Sequence, residues 1–191
     1  MKTVKVIVGD ITGQKVDAII NAANRWMLGG GGVDGAIHRA AGPSLRDECA
    51  RYPADEHGYR VQTGDAKITG AGNLPCRHVI HTAGPDCREV LDSGGQDRLL
   101  ASSYRRCLEV AKASGCVSVA SPSISTGVFG FPIERAVDIV AQVVTAFLSE
   151  NPEMEFTMCV YEAVPQRARQ VRKLYADAFR KAGAPVEEVE R

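Results

Sequence analysis

The 191-residue sequence has no excess of either charge, because its 23 Lys and Arg residues balance its 23 Asp and Glu residues. Proteins that bind nucleic acid through general charge attraction usually carry a basic surplus, so we expect no strong nucleic-acid binding. No apolar run reaches the ~20 residues that a membrane-spanning helix needs, and the N-terminus becomes polar too early for a signal peptide. The composition, 45% hydrophobic and 24% charged, predicts a soluble globular protein without a membrane partner.

The sequence also lacks the cysteine spacings of metal-binding modules. Its six cysteines form no C-x-x-C pair, and no group of Cys and His residues has the spacing of a zinc site. Cys116 and Cys159 fall within apolar, strand-like runs, which favours reduced, buried thiols over disulfides. We therefore expect no metal site and a cytoplasmic location.

Short runs rich in β-branched residues alternate with helical patterns along the chain. The runs that predict strands are residues 4–8, 16–20, 66–69, 78–82, 116–120 and 156–161. Apolar residues at helical spacing predict helices over residues 96–113, 132–150 and 165–181. This alternation predicts an α/β fold with a largely parallel sheet. No linker divides the chain, so we expect one domain over residues 1–183 and a short tail over 184–191.

One pair of predicted strands should run antiparallel. Only the short, turn-rich segment 70–77 joins the third strand to the fourth. A parallel crossover needs a dozen or more residues, so these two strands should be antiparallel neighbours. The sheet should therefore be mixed.

Polar or glycine-rich loops follow four of the predicted strands. They are residues 9–12, 21–32, 121–131 and 161–162. In open α/β sheets, ligands bind outside the carboxyl ends of the strands, so these loops should converge on one site.

Two of these loops are suited to bind phosphate through the backbone. Four consecutive glycines occupy residues 29–32, and residues 125–130 carry two more. Without Cβ atoms, successive N–H groups can approach a phosphate closely, and a helix starting near Asp34 adds partial positive charge. Neither loop is a Walker or Rossmann motif, and each could equally be a flexible turn before a helix. Two facing amide-rich loops predict a diphosphate flanked by two sugars.

The order of these motifs resembles that of MacroD-type macrodomains along nearly the whole chain. The matching blocks are VGDIT (8–12), DAIINAAN (17–24), GGVDGAIHRAAGP (31–43), HTAGP (81–85) and ISTGVFGFP (124–132). The resemblance implies a three-layer α/β/α sandwich whose mixed, mostly parallel sheet has about six strands. It also implies a hydrolase that binds ADP-ribose and needs no cofactor. Its substrates would be O-acetyl-ADP-ribose, mono-ADP-ribosylated proteins modified on acidic residues, or both.

The resemblance further implies a role for individual residues. Asp10 would accept a hydrogen bond from the adenine amino group, with the Ile11 amide nearby and Tyr161 against the ring. Asn24 and Asp34 would carry the catalysis. The diphosphate and the distal ribose would be held by Gly30, Gly31, Gly32, Val33, Ser125, Thr126, Gly127, Val128 and Phe129.

Most of these roles have a structural alternative. Asp34 is placed to cap the following helix, a role compatible with catalysis. Asp10 could be a turn residue, and Tyr161 a half-buried aromatic residue of a strand. His38, four residues after Asp34, could share its helix face, but we expect a packed or hydrogen-bonded histidine rather than a base.

Asp34 should act by orienting and polarising water with help from Asn24. The sequence leaves open whether the water attacks the sugar or the ester carbon.

Paired glutamates after a glycine run, typical of enzymes that degrade poly-ADP-ribose, are absent, so we expect mono-ADP-ribose chemistry. Residues 86–88, where an aromatic is common, and Phe131, where Tyr is frequent, depart from the family pattern and leave substrate preference open. Two alternatives remain. One is a non-catalytic ADP-ribose reader, and the other is a regulator that binds RNA through the basic face of the last helix.

Overall fold

The computed structural model describes residues 1–90 and 92–189, and within them strands alternate with helices. In chain order the elements are β1 (Val4–Val8), a 3-10 helix (Ile11–Gly13), β2 (Ala18–Ala22), α1 (Gly32–Ala41), α2 (Pro43–Ala50), β3 (Ala66–Gly70), β4 (His78–Thr82), α3 (Ser93–Ala113), β5 (Ser118–Ser121), α4 (Ile133–Glu150), β6 (Glu155–Val160), α5 (Pro165–Lys181) and β7 (Val186–Val189).

The strands form one mixed sheet in the order β3-β4-β2-β5-β6-β1-β7. Each neighbouring pair is parallel except β3 and β4, which run antiparallel as their short connection predicted. Among the described residues the sheet has seven strands rather than the predicted six or so. The additional strand, β7, pairs with β1 and lies in the segment predicted as a tail, whose last two residues are outside the described part of the chain. A four-residue edge strand with two adjacent glutamates lacks the alternation of apolar and polar residues by which a strand is recognised from sequence.

Helices cover both faces of the sheet, giving the predicted three-layer α/β/α sandwich. Because successive side chains of a strand point to opposite faces, Ile20 and Ile80 pack in one core and Ile19 and Val79 in the other. The first core lies under α3, α4 and α5, whose buried residues include Tyr104. The second core lies under α1 and α2.

Helix ends are set by local hydrogen bonds. The Asp92 carboxylate accepts from the Gly95 amide at 2.6 Å, so α3 begins three residues earlier than predicted. Pro132 is the N-cap of α4, and Asn151 ends that helix by donating its side-chain amide to the Phe147 carbonyl at 2.8 Å.

Two differences from the sequence prediction affect the site. Strand β2 covers Ala18–Ala22 rather than 16–20, so Asn21 lies inside the strand and not in the loop after it. Helix α2 was not predicted, because its 8 residues follow α1 after a single residue, Gly42, and bury only Leu45 and Cys49. A third difference does not involve the site: Cys116 precedes β5 instead of lying within it, although it is buried as expected.

No disulfide joins any of the six cysteines, all of which belong to the described residues. In the same part of the chain, none of the helices combines the length and apolarity needed to cross a bilayer.

Candidate active site

Four strands bring their predicted loops to one edge of the sheet. Strands β2, β5, β6 and β1 are successive parallel neighbours, so the residues that follow them leave the sheet at the same carboxyl edge. The loops after β2 and β5 then lead into α1 and α4. The topology therefore produces the convergence that the sequence predicted.

Asp10 and Tyr161 lie side by side at one end of this edge. The Gly9 amide donates to the Val160 carbonyl at 3.0 Å. The residues that follow these two, Asp10 and Tyr161, therefore leave the sheet next to each other. Asp10 also caps the 3-10 helix, because its Oδ1 accepts from the amide and the hydroxyl of Thr12, both at 2.8 Å. Both bonds use Oδ1, so Oδ2 can accept from a ligand. Tyr161 is 79% exposed and offers a free ring face rather than a half-buried strand position.

Asn24 closes the turn that presents the glycines. Its side-chain oxygen accepts from the amides of Trp26 and Met27 at 3.1 and 3.2 Å. Its Nδ2 donates to the Gly29 carbonyl at 3.1 Å. The predicted catalytic residue therefore also has a structural role, and only one of its two N–H bonds remains for another partner.

Asp34 is the third residue of α1 and is 96% buried, at 4% exposure. The prediction that it caps the helix is wrong, because the N-cap is Gly31 and α1 has no side-chain cap. Asp34 Oδ2 is buried and makes no hydrogen bond within the described residues. A Cβ atom on Gly30 would lie 3.0 Å from that oxygen and 3.2 Å from Asn24 Nδ2. Gly30 therefore lies against both predicted catalytic side chains.

A buried hydrogen-bond chain holds the other oxygen of Asp34. Asn21 Nδ2 donates to Asp34 Oδ1 at 2.8 Å and contacts His81 Nδ1 at 3.1 Å. His81 Nε2 lies 2.9 Å from Thr69 Oγ1, whose own hydrogen goes to the Gly70 carbonyl. Since Asn21 offers hydrogens to both neighbours, His81 Nδ1 must accept and Nε2 must carry the proton.

Sequence reasoning missed Asn21, His81 and Thr69 as members of this site. Asn21 and His81 face each other in register on β2 and β4, a pairing that becomes visible only once the sheet order is known. Burial lowers the pKa of His81 to about 3, with the nearby His38 lowering it further and Asp34 opposing, so the ring is neutral. The hydrogen bonds of Asn21 and His81 therefore position Asp34 through uncharged side chains.

The second loop holds Ser125 in an unusual backbone conformation. Its φ is 64°, a left-handed value that non-glycine residues rarely adopt and that is common at functional sites. Its hydroxyl is buried and makes no hydrogen bond with any described residue. A Cβ atom on Gly84, just after β4, would overlap Ser125 Oγ and Ile124 Cγ2, so this glycine permits the close packing of the loop.

The remaining residues of that loop differ in what they can offer a ligand. Thr126 donates its hydroxyl hydrogen to the Ser123 carbonyl at 3.0 Å, so its side chain can only accept from a ligand. Gly127 and Val128 are exposed, Val128 at 80%, while Phe129 is half-buried. These exposures fit a loop that contacts ligand mainly through main-chain amides.

Three potential metal ligands meet behind Asp34, where the sequence predicted no metal site. His38 of α1, Cys49 of α2 and His81 of β4 each place one ligand atom within 4.8 Å of the others. They are far apart in sequence, so no spacing motif could reveal them. Burial raises the pKa of the Cys49 thiol to about 12, and the charges of Asp34 and Glu48 act in the same direction.

The basic face of α5 is largely matched by acidic partners. Lys173 contacts Asp177 at 2.7 Å, and Arg180 contacts Asp177 at 3.3 Å and Glu188 at 2.8 Å. Arg172 also lies 3.4 Å from Glu188. These ion pairs reduce the net positive charge that an RNA backbone would meet.

Comparison with known proteins agrees with this architecture. A family model described as Macro domain matches residues 20–140. The O-acetyl-ADP-ribose deacetylase 1 of Pantoea vagans is 47% identical over 155 residues, which cover 81% of this chain and 88% of that protein. Among solved structures, the Oceanobacillus iheyensis macrodomain with ADP is 40% identical with a TM-score of 0.81, covering 92% of this chain and 89% of that one. The Trypanosoma brucei macrodomain in complex with ADP-ribose is 34% identical with a TM-score of 0.73, covering 89% and 67%. With more than half of its residues matched by the family model and a similar fold over nearly its whole length, this chain belongs to the Macro domain family.

Proposed function

We propose that the protein is a hydrolase that binds ADP-ribose and removes acyl groups from its distal ribose. The observation that carries this proposal is the environment of Asp34. Its carboxylate is 4% exposed, one oxygen is fixed by Asn21, and the other faces Gly30 and Asn24 without a hydrogen bond within the described residues. A buried carboxylate with one free oxygen beside an amide-rich loop is suited to polarise a water molecule.

The loops define how the ligand would lie. We place the adenine between Asp10 Oδ2, the Ile11 amide and the exposed ring of Tyr161. The diphosphate lies between the backbone amides of residues 30–33 and those of residues 125–129. The distal ribose then reaches Asn24 and Asp34. This placement is supported by the common edge of the four parallel strands and by the open backbone of both loops.

The chemistry is ester hydrolysis. Water adds to the ester that joins an acyl group to the distal ribose, the ester bond breaks, and the products are a carboxylic acid and ADP-ribose. The name of the Pantoea relative supports O-acetyl-ADP-ribose as a substrate. ADP-ribose attached to a glutamate or aspartate side chain is also a carboxylic ester, so we extend the proposal to mono-ADP-ribosylated proteins.

The test is to replace Asp34 and to measure binding and turnover separately. We expect Asp34→Ala and Asp34→Asn to lower kcat by about 10²–10⁴-fold. We expect the Kd for ADP-ribose, measured by calorimetry, to stay within roughly tenfold of the wild-type value, about 1.4 kcal/mol. Binding and turnover lost together would show that Asp34 supports the fold rather than the reaction.

Two further outcomes separate the alternatives. Wild-type binding without turnover of either ester would make the protein a reader. Hydrolysis in ¹⁸O-water distinguishes the carbon attacked, because the label enters the acid product after attack on the ester carbonyl and the ribose after attack on the sugar.

A further inference from the structure

A cluster of nitrogen and sulfur donors lies beside Asp34, and a Cβ atom on Gly29 of the glycine loop would lie 3.7 Å from the His38 ring. It consists of His38, Cys49 and His81, which come from three different elements. Cys49 and His81 are fully buried, and the His38 side chain is 13% exposed. The hydrolysis proposed above uses His81 only as a hydrogen-bonding group and uses the other two not at all.

We propose that His38, Cys49 and His81 form an inhibitory binding site for a thiophilic divalent metal ion of the zinc class. Cys49 Sγ and His81 Nε2 are 3.6 Å apart. Zinc bonds of about 2.3 Å to sulfur and about 2.05 Å to nitrogen, at a tetrahedral angle, separate these two atoms by about 3.6 Å. The pair therefore already has the separation of two zinc ligands.

His38 completes the set of three. Its Nε2 is buried and makes no hydrogen bond within the described residues, although it lies 3.4 Å from Asp34 Oδ1. The negative charge of Asp34 favours a cation beside it. Two imidazoles and a thiolate suit Zn²⁺ or Co²⁺, whereas Mg²⁺ and Ca²⁺ prefer oxygen ligands. Three protein ligands leave a fourth position for water or for Asp34.

Metal binding and the hydrogen-bond chain cannot coexist. When His81 Nε2 binds a metal, the ring proton must move to Nδ1, which then faces the Asn21 amide nitrogen, another donor. The Asn21 amide must turn to present its oxygen, and Asp34 Oδ1 loses its 2.8 Å bond. Cys49 releases its thiol proton to solvent. The bound ion therefore removes the positioning of Asp34, which is why the site should be inhibitory.

The binding test uses Co²⁺ added to the full chain after chelator treatment. We expect a thiolate-to-cobalt charge-transfer band that saturates at one equivalent and disappears when Zn²⁺ is added. Cys49→Ser should abolish the band and weaken Zn²⁺ binding by at least about 100-fold, the upper end of what loss of an outer-shell partner costs. Cys76→Ser is the matched control, since Cys76 is also buried but lies outside the cluster, and it should keep the band.

Two results would overturn the proposal: a wild-type protein without the band, or a band that persists in Cys49→Ser. Thermal unfolding without metal reports whether each variant folds. If Cys49→Ser does not fold, His38→Gln takes its place and should also weaken Zn²⁺ binding by at least about 100-fold.

The inhibitory effect rests on the proposed hydrolase function, whereas the binding test does not. We expect Zn²⁺ to reduce ester hydrolysis by the wild type and by Cys76→Ser, measured as the ratio of rates with and without metal. The ratio should stay near one for Cys49→Ser. A band without any effect on hydrolysis would contradict the inhibitory role alone, and a protein that shows the band but hydrolyses neither ester would contradict the proposed function.

Discussion

At the residue scale, the position of Asp34 depends on side chains that carry no charge. Asn21 donates to Asp34, His81 accepts from Asn21 at Nδ1, and Thr69 accepts from the protonated Nε2 of His81. In this arrangement each N–H along the series of contacts faces an acceptor. Catalysis by Asp34 should therefore depend on the hydrogen bond that Asn21 donates to it.

Asn21→Asp should change the pH dependence of hydrolysis. The substitution keeps the shape but replaces a donor with a carboxylate oxygen 2.8 Å from Asp34 Oδ1, the present length of that bond. Two carboxylates this close hold a shared proton to higher pH, so the acid limb of the kcat profile should shift upward by about one pH unit or more. Kinetics across the pH range measure this shift.

Asn73→Asp serves as the control for Asn21→Asp. Asn73 is exposed, and replacing it with aspartate adds the same charge away from the site. Its pH profile should match that of the wild type. A profile of Asn21→Asp that is lowered uniformly without any shift would indicate damage to the fold instead.

At the scale of elements, the glycine loop and α1 pack as one unit. A Cβ atom on Gly35 would lie 2.5 Å from the Gly30 carbonyl oxygen. A helical glycine replaced by alanine normally gains about 1 kcal/mol of stability. Here the added Cβ would overlap a backbone atom, which cannot rotate away. The close contact should therefore outweigh the gain in helix propensity and make the substitution destabilising.

Gly35→Ala should therefore lower the free energy of unfolding by about 1–3 kcal/mol, measured by urea denaturation. The control is Gly31→Ala, where φ is −91° and a Cβ atom would meet nothing within 4 Å. Its stability should change little. A more stable Gly35→Ala protein would mean that the loop moves freely with respect to the helix.

The predicted elements show what a sequence can reveal. All six strands and three helices inferred from apolar periodicity are present, with boundaries displaced by up to three residues. The short α2 and the edge strand β7 were missed because each buries few residues. Of the site, the loops were identifiable from their glycines, but the contacts of Asn21 with His81 depend on strand order, which no local pattern encodes.

At the scale of the whole molecule, a buried neutral histidine makes stability depend on pH. The pKa of His81 falls from 6.5 to about 3 on folding, mainly through burial. Below its ordinary value the unfolded chain takes up a proton that the folded protein does not, so stability is lost as pH falls towards the folded value. Between about pH 6.5 and about pH 5, this group alone should cost about 2 kcal/mol.

The measurement is the free energy of unfolding at both pH values for the wild type and for His81→Gln. The variant lacks this titration, while Asp34 and His38 remain in both proteins. We expect a shallower pH dependence in the variant. Equal slopes would show that folding does not change the pKa of His81.

The strand order also sets the distance between the Asp10 loop and the Asn24 loop. Strands β1 and β2 are consecutive in sequence, yet β6 and β5 lie between them in the sheet. Three strand spacings of about 4.8 Å separate the start of the Asp10 loop from the start of the Asn24 loop by about 14 Å. A ligand that contacts both loops must span this distance. In the proposed function, the nucleotide would therefore be recognised at the Asp10 end, and the group esterified at the Asn24 end could vary without changing that recognition.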